Sequence, residues 1–152
     1  MKKHGVRLLP ESLYRSIYIR VPRLTVDILL KRDHGLVFVK RDIPPCKGFW
    51  IFPGGTVLLG ESLEQAVKRV AKDETGLVVR VEEVTGVLEY SRRAAFGQAI
   101  SVVFSARAIS GRLRGNKYGR EVEVFSENPP KMITEQSKFI GSKAFRNIKN
   151  KP

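Results

Sequence analysis

Two short apolar runs, residues 24–30 and 36–41, are separated by the polar connection Lys31-Arg32-Asp33-His34-Gly35. An aspartate and a glycine in so short a connection predict a hairpin turn between two strands. His34 stands in this turn without a second ligand at a suitable spacing, so we expect it at the surface. The first predicted element of the sheet is therefore a hairpin.

The second half of the chain predicts three more strands. Residues 78–84 and 85–90 are rich in β-branched side chains and predict one bent strand, broken at Gly86. Residues 98–109 predict the strand that returns from the loop after it. The alternating run at 121–125 predicts an edge strand, the last of the sheet.

Between these groups of strands, the sequence predicts a helix over 63–75. Ser62 and Gln65 have the spacing of a capping box, and Gly76 suits a left-handed cap at the other end. Five apolar side chains at helical spacing predict the face that packs on the sheet. They are Leu63, Ala66, Val67, Val70 and Ala71.

The two ends of the chain are basic. Residues 1–23 predict a short helix or strand that docks on the domain or on a partner subunit, and we expect a homodimer. Residues 131–140, after two prolines, predict a short helix, and residues 141–152 form a basic tail. Because no repeat or linker interrupts residues 24–140, we expect one α/β domain there, between an N-terminal extension and the tail.

The composition narrows the function classes. The chain of 152 residues is 42% hydrophobic and has neither a membrane-length apolar run nor a signal-peptide core, so a cytoplasmic location is expected. A single cysteine cannot form a disulfide within the chain, and together with two histidines it does not have the spacing of a zinc site. The net charge of +13 would attract the phosphates of a nucleotide or of nucleic acid, or would serve only to keep the protein soluble.

Residues 53–61, Pro-Gly-Gly-Thr-Val-Leu-Leu-Gly-Glu, form the stretch that most clearly predicts chemistry. Two glycines after a proline let the backbone turn and approach a ligand. Asp73 and Glu74 follow on the helix, and we expect them to converge with Glu61 and the Gly55 carbonyl. Oxygen ligands of this kind suit Mg²⁺ or Mn²⁺ shared with a substrate's phosphates. The alternative is an exposed helix face with ion pairs at i, i+4.

The spacing resembles the Nudix box. Gly55 is followed after five residues by Glu61, and after seven more by Arg69-Val70-Ala71-Lys72-Asp73-Glu74-Thr75-Gly76-Leu77. This resemblance implies an α/β/α sandwich with a mixed sheet and a metal-dependent hydrolase. It also implies metal ligands at Gly55, Glu61, Asp73 and Glu74, and catalytic roles for Glu61, Glu74 and Arg69, which would orient Glu61.

Two positions depart from the family pattern. Val70 replaces a glutamate that is a metal ligand and often the base, and Asp73 replaces a second glutamate. Valine can neither ligate a metal nor accept a proton. Glu121 or Glu123, on the last strand, could supply the base instead; otherwise they are polar residues on an exposed strand face.

Three arginines are candidate substrate ligands. Arg41 ends the second strand where related enzymes place a substrate arginine, and it could bind a diphosphate or be an exposed charge. Arg92 and Arg93 lie in a loop that could overhang a phosphate.

The N-terminal extension and the depleted box resemble the GDP-mannose mannosyl hydrolase branch, but residues 116–120 lack its late-loop histidine. We therefore expect a Mg²⁺-dependent hydrolase of a nucleoside diphosphate linked to another moiety, such as a sugar. The alternatives are a module that binds a nucleotide or RNA without turnover, and a nucleoside triphosphate pyrophosphohydrolase.

Overall fold

The computed structural model describes residues 8–91 and 96–141. Arg92 and Arg93 lie outside the described residues. The helices and strands of the protein, in chain order, are α1 (Glu11–Tyr18), β1 (Arg23–Arg32), β2 (Gly35–Lys40), β3 (Trp50–Ile51), β4 (Gly54–Thr56), α2 (Leu63–Thr75), β5 (Leu77–Tyr90), β6 (Ala99–Gly111), β7 (Val122–Phe125) and α3 (Thr134–Phe139).

The strands form a mixed sheet with β1 near its centre. β1 pairs with β6 in parallel and with β2 and β4 antiparallel. β5 is antiparallel to β6, and β3 and β7 both pair with β2. The predicted hairpin of β1 and β2 is confirmed: Asp33 has φ 52° in its turn, and His34 is exposed.

Alternate residues of β1 pack into two separate cores, since successive side chains of a strand point to opposite faces. Val26, Ile28 and Leu30 pack with the apolar face of α2. Leu29 packs on the other face with aromatic side chains and with Ile133 and Ile140, which flank α3. The sheet therefore lies between helices, which confirms the predicted sandwich of α/β class.

The local signals around α2 are confirmed. Ser62 Oγ accepts a hydrogen bond from the Gln65 N–H, and the Gln65 side chain accepts one from the Ser62 N–H. Gly76 has φ 75°, and its N–H donates to the Lys72 carbonyl. This capping fixes the rotation of the helix, and so decides which acidic side chains face the sheet.

The bent strand predicted over 78–90 is β5, and its register shifts include one between Val84 and Gly86, at the predicted break. The helix predicted from Lys131 begins at Thr134, because Lys131 has φ 61° and Met132 bridges to Trp50. Within the part of the chain described, no helix has the length and apolar character needed to cross a membrane.

Candidate active site

The two glycines of β4 lie where a side chain would collide with the site. Gly54 is opposite Asp27 of β1, and a Cβ on Gly54 would overlap Asp27 Oδ1 and the Val26 carbonyl. A Cβ on Gly55 would lie 3.0 Å from Val70 Cγ2. The close approach of β4 to β1 and α2 therefore requires glycine at 54 and favours it at 55.

Glu74 faces this glycine loop from α2. Its Oε2 accepts a hydrogen bond of 3.0 Å from the Gly54 N–H. Burial raises the pKa of Glu74 to about 7; the Gly54 N–H opposes the rise, and the nearby charge of Asp27 adds to it. Glu74 is thus a carboxyl that titrates close to neutral pH at the edge of the loop.

Asp27 is a second carboxyl at the same glycine, and the spacing of the box does not predict it. Its side chain is buried, and burial raises its pKa to about 6 although the Tyr90 hydroxyl donates a 2.6 Å hydrogen bond to Oδ2. Gln136 Nε2 donates to the Tyr90 hydroxyl at 2.8 Å, and Gln136 Oε1 accepts from the Phe52 N–H at 2.8 Å. This hydrogen-bond chain fixes the orientation of the Asp27 carboxylate.

The Glu61 carboxylate forms a bidentate ion pair with the Arg69 guanidinium. Arg69 Nη2 donates to Glu61 Oε1 at 2.8 Å, and Arg69 Nε donates to Oε2 at 3.1 Å. The Leu58 N–H also donates to Oε1 at 2.8 Å, and Arg69 Nη2 donates to the Thr56 carbonyl. Burial favours the neutral acid, but these hydrogen bonds outweigh it, so the pKa of Glu61 is lowered. The predicted contact between Arg69 and Glu61 is therefore present.

Asp73 does not face the loop as the sequence analysis expected. Its side chain is 61% exposed and lies 3.9 Å from Arg69 Nη1. Adjacent residues on a helix point about 100° apart, and here Glu74 faces Gly54 while Asp73 points towards Arg69 and solvent. Among the residues described, no three His, Cys, Asp or Glu side chains are gathered as metal ligands. The structure therefore does not show Glu61, Asp73 and Glu74 converging, and their roles as ligands stay predictions.

A cavity of about 650 Å³ opens beside the glycine loop. The cavity is lined by Gly54, Gly55 and Thr56 with Asp27, and also by residues of α1 and of the loop after β2. Arg41 lines this cavity, while its Nε and Nη2 donate to the carbonyls of Pro45 and Pro44 at 2.7 and 3.3 Å. Burial lowers the pKa of Arg41. Arg41 thus lies at the cavity, and its role as a substrate ligand stays a prediction.

Glu121, the candidate base, lies away from this cavity. Both of its carboxylate oxygens are 3.2 Å from Lys40 Nζ, and the side chain is 56% exposed. Glu123 is exposed on β7 opposite Phe38. Glu121 remains a prediction that no contact in the described site supports.

Asp27 could have been found from the sequence, whereas its partners could not. It is a charged residue in the middle of the apolar run 24–30, and a buried charge in such a position needs a partner or a function. Tyr90 and Gln136 show no comparable signal, because their pairing with Asp27 depends on the fold.

The donor chemistry of the site fits a hard divalent cation. Asp27 and Glu74 approach Gly54 from different sides, and no described residue forms an ion pair with either carboxylate. These two neighbouring carboxyl groups, in a site partly shielded from water, repel each other when both are ionised. A divalent cation bound by oxygen atoms would offset that charge.

Comparisons with known proteins match most of this chain. A family model of the NUDIX domain matches residues 21–140. The chain is 37% identical over 120 residues to an ADP-ribose pyrophosphatase of Methanocaldococcus jannaschii, covering 78% of this chain and 71% of the relative. It is 34% identical over 82 residues to the low-salt glycan biosynthesis protein Agl8 of Haloferax volcanii, covering 54% and 53%.

The fold is also that of solved Nudix structures. A MutT protein from Methanosarcina mazei superposes with a TM-score of 0.72 at 19% identity, covering 86% of this chain and 96% of that one. At such identity the likeness concerns the fold alone. With the family model matched over most of the chain and the sequence similarity to a pyrophosphatase, this chain belongs to the Nudix hydrolase family.

Proposed function

We propose that the protein hydrolyses a nucleoside diphosphate linked to another moiety, such as ADP-ribose or a nucleotide sugar, with Mg²⁺ or Mn²⁺. The observation that carries this proposal is the pair of carboxyl groups, Asp27 and Glu74, at a glycine loop that opens on a cavity of about 650 Å³. Similarity to an ADP-ribose pyrophosphatase and to a glycan biosynthesis protein supports this substrate class.

Nudix hydrolases generally use divalent metal ions. In this chain Glu74 and the Gly55 carbonyl would hold the ion, with Asp73 and Glu61 as further predicted ligands. The bound ion would supply positive charge to the phosphate oxygens on which negative charge develops.

The chain's own residues would bind and orient the substrate around that ion. Arg69 keeps Glu61 ionised through its two hydrogen bonds and fixes the loop through the Thr56 carbonyl. Tyr90 and Gln136 keep Asp27 directed towards Gly54. Arg41, partly buried at the cavity, would donate hydrogen bonds to the diphosphate. These contacts are preorganised, which is what electrostatic stabilisation of a transition state needs.

The test is a substrate panel of ADP-ribose, nucleotide sugars, dinucleotides and nucleoside triphosphates, assayed with Mg²⁺, with Mn²⁺ and with EDTA. We expect metal-dependent release of a nucleotide product from a diphosphate-linked compound. Glu74→Gln should reduce kcat by roughly a hundredfold or more, because it removes the carboxylate at the loop. Glu64→Gln, on the exposed face of the same helix, is the matched control and should leave kcat unchanged.

Val70 favours a second candidate, a nucleotide-binding module without turnover, because it removes a carboxylate from the box. Tight nucleotide binding without hydrolysis of any member of the panel would select this candidate. Cleavage of triphosphates alone would select a nucleoside triphosphate pyrophosphohydrolase. Homodimer formation and nucleic-acid binding stay predictions from the sequence.

A further inference from the structure

Arg23, at the start of β1, lines the same cavity as the glycine loop. We propose that Arg23, oriented by Tyr14 of α1, binds a phosphate of the substrate's diphosphate, so that the N-terminal helix is part of the active site. This inference rests on the proposed function, which it deepens by naming a further substrate-binding residue.

The position of Arg23 follows from the period of the strand. Residues 23, 25 and 27 lie on one face of β1, since side chains alternate along a strand. Thr25 and Asp27 line the cavity together with Arg23. Arg23 therefore lies on the same face of β1 as the buried carboxylate of Asp27, and both line the cavity.

Tyr14 fixes the guanidinium of Arg23 near the glycine loop. Arg23 Nη1 donates a short hydrogen bond to the Tyr14 hydroxyl, and Arg23 Cζ lies 5.7 Å from the centroid of the Tyr14 ring. The same hydroxyl is 3.1 Å from Thr56 Oγ1, the residue after Gly55. The guanidinium is thus two hydrogen bonds away from the loop at which the diphosphate would bind.

The remaining edge of the guanidinium has no partner among the described residues. Arg23 Nε is buried and forms no hydrogen bond, and no ion pair joins Arg23 to any residue of the described chain. Buried polar groups without a partner are rare and need an explanation. The Nε and Nη2 atoms form a fork whose geometry matches two oxygens of a phosphate.

The neighbouring acids do not fill that edge. Glu11 of α1 forms an ion pair with Arg15 at 3.2 Å, and the Asp27 carboxylate accepts its hydrogen bond from Tyr90. Asp27 acts on Arg23 only as a nearby charge. An oxyanion in the cavity would give the Arg23 fork its missing partner, and the diphosphate is the anionic part of the proposed substrate.

The experiment uses the full chain with Arg23→Gln, and Arg20→Gln as the matched control. Arg20 is exposed, and its hydrogen bonds go to Ser16 within α1. For the best substrate of the panel we expect Arg23→Gln to raise KM by about tenfold or more and to leave kcat within about threefold, since a hydrogen bond to a charged group is lost. Arg20→Gln should leave both constants unchanged.

Binding measured by calorimetry with EDTA tests the same inference without turnover. Arg23→Gln should weaken binding of ADP and of inorganic pyrophosphate by about tenfold, with no change for adenosine. Tyr14→Phe removes only the hydroxyl that orients Arg23 and should raise KM by a smaller factor, about threefold. It provides a second variant if Arg23→Gln unfolds at a markedly lower temperature than wild type. Arg23→Lys should recover part of the affinity, because it keeps the charge but loses the fork.

A KM and an ADP affinity within twofold of wild type in a folded Arg23→Gln protein would overturn the proposal. Weaker pyrophosphate binding with unchanged ADP binding would also overturn it, because it would indicate a site for a free anion. If the wild-type protein hydrolyses nothing in the panel, the proposed function fails, while the ADP titration still decides the role of Arg23.

Discussion

Replacement of Glu74 by glutamine should make the metal-free protein more stable at alkaline pH although it removes catalysis. The pKa of Glu74 rises from an ordinary 4.5 to about 7 on folding, mainly because the group is buried. A carboxyl with a higher pKa in the folded state binds its proton more tightly there. The folded protein therefore loses stability as pH rises from about 4.5 to about 7, and the loss is constant above that.

The size of the effect follows from the shift. At about 1.4 kcal/mol per pH unit, a rise from 4.5 to about 7 corresponds to roughly 3 kcal/mol at pH 8. Glu74 is only half-buried, so solvent screens part of its charge, and we expect a gain of about 1–2 kcal/mol. Glutamine can still accept the hydrogen bond from the Gly54 N–H.

Urea denaturation in EDTA measures this gain. The free energy of unfolding of Glu74→Gln should exceed that of wild type at pH 8 and should equal it near pH 4.5. Glu64→Gln, which loses only an exposed ion pair with Lys68, should follow the wild-type curve at both pH values. Saturating Mg²⁺ should stabilise wild type more than the variant, because the ion offsets the charge of Glu74.

A Glu74→Gln protein that is less stable than wild type by the same amount at pH 5 and pH 8 would refute this reasoning. That result would mean that the pKa of Glu74 is the same in the folded and unfolded protein, so that burial does not oppose its ionisation. The slope of stability against pH would then come from Asp27, whose pKa is raised to about 6.

Three further substitutions test the site and the helix. Val70→Glu should destabilise the metal-free protein by roughly 3 kcal/mol in urea at pH 8, because Val70 is 2% exposed and lies one helical turn before Glu74 on α2. Mg²⁺ should restore part of the loss. A Val70→Glu protein as stable as wild type in EDTA would contradict this. Gly54→Ala should lower both the melting temperature and kcat, because its Cβ would overlap Asp27 Oδ1; unchanged values would show that β4 can shift freely. Ser62→Ala should cost about 1 kcal/mol in urea through loss of the capping box, and no change would mean that water replaces the cap.

Local signals predicted α2 correctly, and the arrangement of the site only in part. Ser62, Gln65 and Gly76 are close together in sequence, so their spacing was sufficient to place both ends of the helix. Asp73 and Glu74 were expected to face the loop together, but helical geometry turns Asp73 outward.

Contacts between residues distant in sequence could not be predicted in this way. Tyr90 reaches Asp27 across 63 positions, and Gln136 reaches Tyr90 across 46. Neither pairing follows from a pattern within one element, because each depends on the order of strands in the sheet. The contact of Tyr14 with Arg23 likewise depends on how α1 docks over the cavity.

The parallel pairing of β1 with β6 has a consequence for how the chain folds during synthesis. The two strands pair from Arg23 with Ala99 to Lys31 with Arg107, so β1 meets its partner only after some eighty later residues have been made. Until then the hairpin of β1 and β2 has an apolar strand with one unpaired edge, which is a surface for aggregation. The centre of the sheet is thus completed late, and folding should be slowed by this long-range pairing.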